Sequence, residues 1–176
     1  MIAYTMNEKK GSMDALLTQL SDRLMCSGVS VAGIVQINTD RIYDHRCDMD
    51  VQVLPSGPVL RISQSLGKHA RGCRLDTSAL ETAIAAVERS LDHTTSLLIV
   101  NKFGKLEAEG RGFRNVIAQA LSLGIPVLCG VNALNKDAFD HFCDGCAEWV
   151  DGDLDALLGW CEGAGLFGVN PIASTA

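Results

Sequence analysis

The sequence predicts an α/β fold in which helices cover both faces of a mostly parallel sheet, with an antiparallel β insertion near residues 29–63. Short apolar runs alternate along the chain with segments whose apolar residues recur at helical spacing, as in parallel sheets. The apolar runs are continuous, which is typical of strands buried on both faces. The 47% hydrophobic and 5% aromatic composition of the 176 residues suits a core of aliphatic side chains.

The N-terminal half contains the first strand–helix unit and the insertion. A short strand begins at Ile2, and a polar turn over 7–11 precedes a helix over 14–28, for which Ser12 is the expected N-cap. One β-branched run and two alternating segments then predict three strands, at 29–37, 49–53 and 59–63. Proline and glycine between the last two predict a turn.

The C-terminal half continues the alternation of strands and helices. Ser78 and Glu81 have the spacing of a capping box and predict a helix from Ser78 to Leu91. Gly124 ends a second predicted helix, over 113–123. Apolar runs predict strands at 97–100 and 125–131, and helical spacing predicts helices at 136–142 and 154–161. We expect one α/β domain over residues 1–162 and a loosely held C-terminal tail over 163–176.

Composition excludes several classes of protein. Residues 1–6 are too short, and too soon followed by charge, for a signal peptide or a membrane span, so we expect a cytoplasmic protein. The odd number of cysteines, seven, then predicts reduced thiols rather than a disulfide framework. The net charge of −6 argues against nucleic acid as the main partner.

The charge is unevenly distributed. Residues 41–74 carry a net +3, which leaves −9 on the rest of the chain. From Asp137 to the C-terminus there is no Lys or Arg at all. One local surface is therefore suited to an anion, whereas the remainder repels one.

Residues 97–113 have the layout of a nucleotide-hydrolysing site without its chemistry. A buried strand runs into a polar turn, as the magnesium-binding strand of a phosphate-loop NTPase does. Asn101 and Lys102 stand where an aspartate and a catalytic glutamate are expected. An amide and an ammonium cannot hold Mg²⁺ or activate water as carboxylates do.

Five segments carry a resemblance to a known family: Val31–Gln36, His45–Asp50, Arg61–Gln64, Arg71–Asp76 and Val100–Gly110. Their order resembles that of the small bacterial and archaeal nucleoside-triphosphatases related to the thermophilic NTPase-phosphatases. Within that group, the chain most resembles an uncharacterised bacterial domain family often found near molybdenum-metabolism genes. The resemblance covers residues 1 to about 162. It implies a phosphate-loop NTPase-like fold with degenerate nucleotide motifs and implies no activity.

The first loop departs from the phosphate-loop pattern. Gly11 matches the last glycine of the motif, but Ser12 and Met13 replace the lysine and hydroxyl residue that contact the phosphates and Mg²⁺. Lys9 or Lys10 could reach a phosphate from elsewhere in the turn, which would restore binding rather than hydrolysis. The alternative interpretation of this loop is an ordinary polar turn ahead of a helix.

Two short segments pair arginine with a thiol: His45-Arg46-Cys47-Asp48 and Arg71-Gly72-Cys73-Arg74. Guanidinium groups offer a fork of donors to an oxyanion, and a nearby cation lowers the pKa of a thiol. Cys47 and Cys73 are also weak candidates for metal ligands. We expect these two thiols to lie close together, and Arg46, Arg71 and Arg74 to form one anion-binding cleft with the first loop. The alternative is a solvated, salt-bridged turn with incidental cysteines.

Three other candidates have simpler explanations. The spacing of His141, Cys143 and Cys146 gives half a zinc site at most, so ordinary core or surface cysteines are favoured. Glu109 is more readily explained as a negative charge that complements the dipole of the following helix than as an acid or base. Glu107 is the one weak catalytic candidate, and its role stays open.

We therefore expect a protein that binds a small anion and is not an active NTPase. From the family association alone, the expected ligand is molybdate, a related oxyanion or a molybdenum-cofactor precursor, and a nucleotide is the alternative. The expected ligand-binding residues are Lys9, Lys10, Gly11, Ser12, His45, Arg46, Cys47, Arg71, Cys73, Arg74, Asn101, Lys102 and Lys105.

Two other functions stay open at this point. The first is weak nucleotide hydrolysis that uses Lys9 or Lys10 with Glu107. The second is an interaction module that docks a partner through the acidic C-terminal third and has no ligand. A second copy of the chain or a molybdenum-pathway protein is the expected protein partner, whereas nucleic acid and membranes are not expected.

Overall fold

The computed structural model describes residues 1–7, 11–41, 44–64 and 74–167, without the side chains of 41 and 44–46. The described strands are β1 (Ile2–Thr5), β2 (Val31–Arg41), β3 (Asp44–Leu54), β4 (Val59–Arg61), β5 (Leu97–Phe103), β6 (Val127–Val131) and β7 (Glu148–Trp149). The described helices are α1 (Ser12–Cys26), α2 (Thr77–Ser90), α3 (Lys105–Ala108), α4 (Arg114–Ser122), α5 (Lys136–Cys143) and α6 (Leu154–Gly163). A 3₁₀ turn, Ala133–Asn135, precedes α5.

The strands form one sheet in the order β4-β3-β2-β5-β6-β1-β7. Strands β2, β5, β6, β1 and β7 are parallel, and β3 and β4 extend the sheet in antiparallel fashion at one edge. Strand β2 belongs to both parts, because residues 31–34 pair with β5 while residues 33–41 pair with β3. The predicted fold class is confirmed, and the antiparallel insertion is the β3–β4 extension.

Helices cover both faces of the sheet. On one face, Leu17 and Leu20 of α1 pack in the same apolar cluster as Leu157 of α6. On the other face, Val87 of α2 and Phe139 of α5 belong to a second cluster, together with α4. The side chains of β5 alternate between the two clusters, which explains why its sequence is continuously apolar.

The two predicted helix caps are wrong. The N-cap of α1 is Gly11 rather than Ser12, and glycine has no side chain with which to cap the helix. Helix α2 begins at Thr77, because Asp76 is its N-cap and accepts a hydrogen bond from the backbone N–H of Ala79 at 3.1 Å. Aspartate caps a helix as well as serine does, so the pattern beginning at Ser78 lies within the first turn instead.

Strand β5 is longer than its apolar run predicts. Asn101 and Lys102 lie within the strand, which continues to Phe103, rather than in a loop. A one-turn helix, α3, follows directly, and the sequence did not indicate it. Strand β7 was also missed, because two residues are too few for any periodicity to be detected.

The residues that directly follow α6 still pack against the domain. Leu166 and Phe167 pack against the cluster that contains α1 and α6. The remaining residues of the predicted tail, 168–176, lie outside the described residues. Among the described helices, none has the length and apolar character needed to cross a membrane.

Candidate ligand-binding site

The carboxyl ends of β1, β2, β5 and β6 surround a cavity of about 890 Å³. Ligands of open α/β sheets bind at this edge. The polar residues that line the cavity are Asn7, Asp14, Thr18, Gln19, Gln36, Asn38, Asp40, Asn101, Lys102 and Asn132. Because most of these are uncharged amides, the lining offers directional hydrogen bonds rather than a strong electrostatic potential of one sign.

The first turn of α1 forms one wall of this cavity. Gly11 adopts a left-handed conformation, with φ of 79°, which glycine tolerates without strain and which turns the chain into the helix. Gly11, Met13 and Asp14 line the cavity, and Ser12 begins the helix between them. The positive end of the helix dipole therefore lies at the cavity.

Asp14 is the centre of a polar cluster in this wall. Its Oδ1 accepts a hydrogen bond from Nδ2 of Asn101 at 2.7 Å. Its Oδ2 accepts from Nδ2 of Asn38 at 2.5 Å and from Nε2 of Gln36 at 3.4 Å. Only 9% of Asp14 is exposed, so the three amides replace the water that would otherwise solvate its charge.

Asn101 uses both ends of its amide inside the protein. Its Nδ2 donates to Asp14, and its Oδ1 accepts from the backbone N–H of Gln36 at 3.1 Å. The residue is 1% exposed, whereas the side chain of Lys102, which also lines the cavity, is exposed. The end of β5 thus presents a bonded amide and an exposed ammonium to the cavity.

Glu107, the weak catalytic candidate, has a buried carboxylate. Its Oε2 accepts from the backbone N–H of Gly104 at 2.8 Å, and its Oε1 accepts from that of Phe113 at 3.0 Å. A Cβ at position 112 would collide with Oε1, so Gly112, with φ of 64°, is required beside the carboxylate. With both oxygens bonded to backbone, Glu107 holds the turns before and after α3 together, which favours a structural role.

Arg61, in the basic segment, is paired with two carboxylates of the neighbouring strand β3. Its Nε donates to Oδ1 of Asp50 at 2.5 Å, and its Nη1 lies 2.9 Å from Oδ2 of Asp48. The hydrogen bond to Asp50 is the main reason why the pKa of Arg61 is raised. Part of the positive charge of residues 41–74 is therefore balanced within the protein itself.

Arg74 also binds the protein. Its Nη1 donates to the carbonyl oxygen of Cys47 at 3.0 Å, and its Nε donates to that of Gln64 at 3.3 Å. Its Nη2 lies 3.9 Å from Oδ1 of Asp48. These contacts join β3 to the chain on both sides of residues 65–73. The guanidinium of Arg74 thus has a structural role in linking these segments. Arg74 does not line the cavity.

The structure brings four of the expected ligand-binding residues to one cavity: Gly11, Cys47, Asn101 and Lys102. Lys105 is 86% exposed and lies 3.5 Å from Oε1 of Glu109. Six others lie outside what the structure describes, wholly or by their side chains: Lys9, Lys10, His45, Arg46, Arg71 and Cys73. The proximity of Cys47 to Cys73 and the cleft of three arginines therefore stay predictions.

Burial raises the pKa of several thiols. Desolvation raises the pKa of Cys143 to about 11 and that of Cys161 to about 12. The pKa of Cys129, which is completely buried, is raised well above its ordinary value for the same reason. Among the described residues, no group of three or more His, Cys, Asp or Glu side chains is placed to hold a metal ion.

We expect these thiols to differ widely in their reaction with iodoacetamide at pH 8. The thiolate is the reactive form, so a raised pKa and burial both slow alkylation. Cys26 and Cys146 are exposed and should be labelled first, whereas Cys129 and Cys161 should be labelled only after unfolding. Mass spectrometry of peptides after timed labelling measures this order. Equal rates for Cys26 and Cys129 in the native protein would contradict the burial described here.

The model of a family described as "Protein of unknown function (DUF2478)" matches residues 2–160. The chain belongs to this family. This DUF2478 chain is similar to the crystal structure of THEP1 from the hyperthermophile Aquifex aeolicus. The similarity extends over 93% of this chain and 96% of the THEP1 chain. The TM-score is 0.54 and the sequence identity is 14%, so this likeness shows the fold alone. The resemblance read from the sequence, to an uncharacterised family with a phosphate-loop NTPase-like fold, is confirmed.

One curated relative of the DUF2478 chain is the molybdenum import ATP-binding protein ModC 2 of Bradyrhizobium diazoefficiens. The two are 33% identical over 159 residues. The match includes 90% of this chain but only 18% of the relative, so the chain spans about a fifth of the length of that protein.

Sequence reasoning missed the residues that form the polar cluster of the DUF2478 cavity with Asn101: Asp14, Gln36 and Asn38. Asp14 directly follows the two positions that depart from the phosphate-loop motif, so an acid there was a visible signal. Gln36 ends an apolar run at the carboxyl edge of the sheet, which was a second signal. The role of Asn38 could not be predicted in this way. Its position depends on how far β2 continues past the residues that pair with β5.

Proposed function

We propose that this protein is a small-anion-binding accessory module of molybdenum metabolism, on a phosphate-loop NTPase-like frame that does not hydrolyse nucleotides. The observation that carries the proposal is Asn101, whose amide is bonded to Asp14 and to the backbone of Gln36 at the end of β5. A ligand cavity remains at the carboxyl edge of the sheet. The carboxylates that would hold Mg²⁺ there are replaced.

Two features of the cavity support an anion as the ligand. The first turn of α1 at Gly11 presents backbone N–H groups and the positive end of a helix dipole. Lys102 adds an ammonium to the lining. Asp14 disfavours an anion in its immediate neighbourhood, so we place the charge of the ligand between Gly11 and Lys102.

The association with molybdenum is supported by the relative whose name describes molybdenum import. Because this chain matches only 18% of that protein, its ATP-binding activity is not assigned to the chain. Molybdate, a related oxyanion or a molybdenum-cofactor precursor is the ligand class that we propose. A cytoplasmic location is part of the same proposal.

Calorimetric titration of the purified chain with molybdate, tungstate, sulfate, ATP and GTP, with and without Mg²⁺, tests this proposal. We expect an oxyanion to bind independently of Mg²⁺. Lys102→Ala should weaken binding by about tenfold or more, because a charge-assisted hydrogen bond is worth about 1.5–3 kcal/mol. Arg23→Ala is the matched control, since it removes an exposed cation from the opposite end of α1. Mg²⁺-dependent binding of ATP alone would favour the nucleotide alternative instead.

A second candidate function, docking of a basic protein partner, is favoured by the surface around β7. Trp149 is 56% exposed on this edge strand and lines a groove together with Trp160. Glu148 and Asp151 also line this groove and no Lys or Arg among the described residues does, so a second copy presenting the same groove would be repelled.

Fluorescence tests this candidate directly, because these two tryptophans are the only ones in the chain. An arginine- and leucine-containing peptide should change their emission, whereas the same peptide with glutamate in place of arginine should not. Trp149→Ala should abolish binding of the basic peptide. Dimerisation seen by light scattering, without a response to either peptide, would favour a second copy instead.

A further inference from the structure

A second cavity, of about 290 Å³, lies on the other face of the sheet from α1. Its walls are mainly apolar and include Ile34, Val51, Ile62, Leu80, Leu106 and Phe113. All six belong to the cluster on the α2 side of the sheet. An apolar cavity of about 150 Å³ accommodates a benzene ring, so this one has room for a planar ring.

The two cavities meet at the carboxyl edge of the sheet, because Gln36, Asn101 and Lys102 line both. Neighbouring residues of a strand point to opposite faces, so the ends of β2 and β5 lie between a polar and an apolar compartment. A ligand that crosses this edge would contact both compartments at once.

Lys102 is the cation placed at this junction. Two other cations that line the apolar cavity, Lys105 and Arg111, are paired with Glu109 at 3.5 Å and 2.7 Å. Within the described residues, Lys102 forms no such ion pair, and its side chain is exposed. An anionic group at the mouth of the apolar cavity would therefore meet an ammonium that has no carboxylate partner among the described residues.

We propose that the two cavities form one site for an amphipathic anion. Its oxyanion group lies in the larger cavity beside Lys102, and its planar apolar ring lies in the smaller cavity. This inference rests on the proposed anion-binding function and specifies the ligand as an aromatic compound that carries a phosphate-like group.

Titration with inorganic phosphate, phenyl phosphate and glycerol 3-phosphate tests the inference. Burial of the ring should make phenyl phosphate bind about tenfold more tightly than phosphate, or better. Glycerol 3-phosphate carries a polar group in place of the ring and should show no such gain. Equal affinities for phosphate and phenyl phosphate would overturn the two-part site and leave the anion-binding function intact.

A matched pair of variants tests where the ring lies. Thr77 lines the apolar cavity at the exposed start of α2, whereas the neighbouring Ser78 is exposed and does not line it. Thr77→Phe should remove the advantage of phenyl phosphate without changing the affinity for phosphate, and Ser78→Phe should change neither. An advantage that survives Thr77→Phe would overturn the placement of the ring.

The two proposals fail in distinguishable ways. If molybdate binds but phosphate and phenyl phosphate do not, the amphipathic ligand is wrong and the anion-binding function stands. If no anion binds at all, both proposals are wrong.

Discussion

Replacing Asn101 with aspartate is expected to lower the free energy of unfolding by roughly 4 kcal/mol at pH 7, the repulsion of two unit charges about 4 Å apart at an effective dielectric constant of about 20. In the wild-type protein, Nδ2 of Asn101 donates to Oδ1 of Asp14 at 2.7 Å in a buried position. The variant replaces this hydrogen bond with two carboxylates facing each other. Urea unfolding monitored by circular dichroism measures the effect.

The effect of Asn101→Asp should depend on pH. Because of this repulsion, the folded variant is expected to take up a proton as the pH falls below 7, whereas the carboxyl groups of the unfolded chain stay ionised down to about pH 4. The folded variant then binds more protons than the unfolded chain, so its stability rises as the pH falls from 7 towards 4. The double variant Asp14→Asn with Asn101→Asp restores one amide and one carboxylate, and is the control. A single variant as stable as wild type at pH 7 would contradict the contact between residues 14 and 101.

Replacing Glu107 with alanine is expected to lower the free energy of unfolding by about 3 kcal/mol. The carboxylate accepts from the backbone N–H groups of Gly104 and Phe113, and its removal leaves one half-buried and one buried donor without an acceptor. Thermal or urea unfolding measures the loss.

Glu109→Ala is the matched control for Glu107→Ala. Glu109 is exposed, and its pKa is lowered chiefly by a hydrogen bond from Arg111 at the surface. We expect little change in the stability of this variant. If Glu107→Ala were as stable as Glu109→Ala, Glu107 would not be holding the turns around α3, and its candidacy as an acid or base would regain support.

Much of the fold follows from local patterns in the sequence. Strand β5 is buried on both faces and therefore reads as a continuous apolar run, and Gly124 marks the end of α4. Local patterns do not predict the features that depend on pairing between strands distant in sequence. The extension of β2 depends on its pairing with β3, and the two-residue strand β7 exists only because β1 is beside it.

The site was predictable only in part. The sequence identified Asn101 and Lys102 because a missing carboxylate is visible against the expected motif. It did not identify Asp14 as their neighbour, because the contact between residues 14 and 101 joins α1 to β5 across 87 positions of the chain. The basic segment was interpreted as an anion site, but the pairing of Arg61 with Asp50 and the bracing contacts of Arg74 could be seen only in the fold.

Phosphate release from ATP and GTP, with and without Mg²⁺, tests most directly the claim that this frame has lost its hydrolytic chemistry. The end of β5 carries the amide of Asn101, bonded within the protein, and the ammonium of Lys102, neither of which can hold Mg²⁺ or activate water as a carboxylate does. We predict no Mg²⁺-dependent release above that of a heat-denatured sample. A Mg²⁺-dependent turnover near ~1 s⁻¹, within the ordinary range of enzymes, would contradict the account.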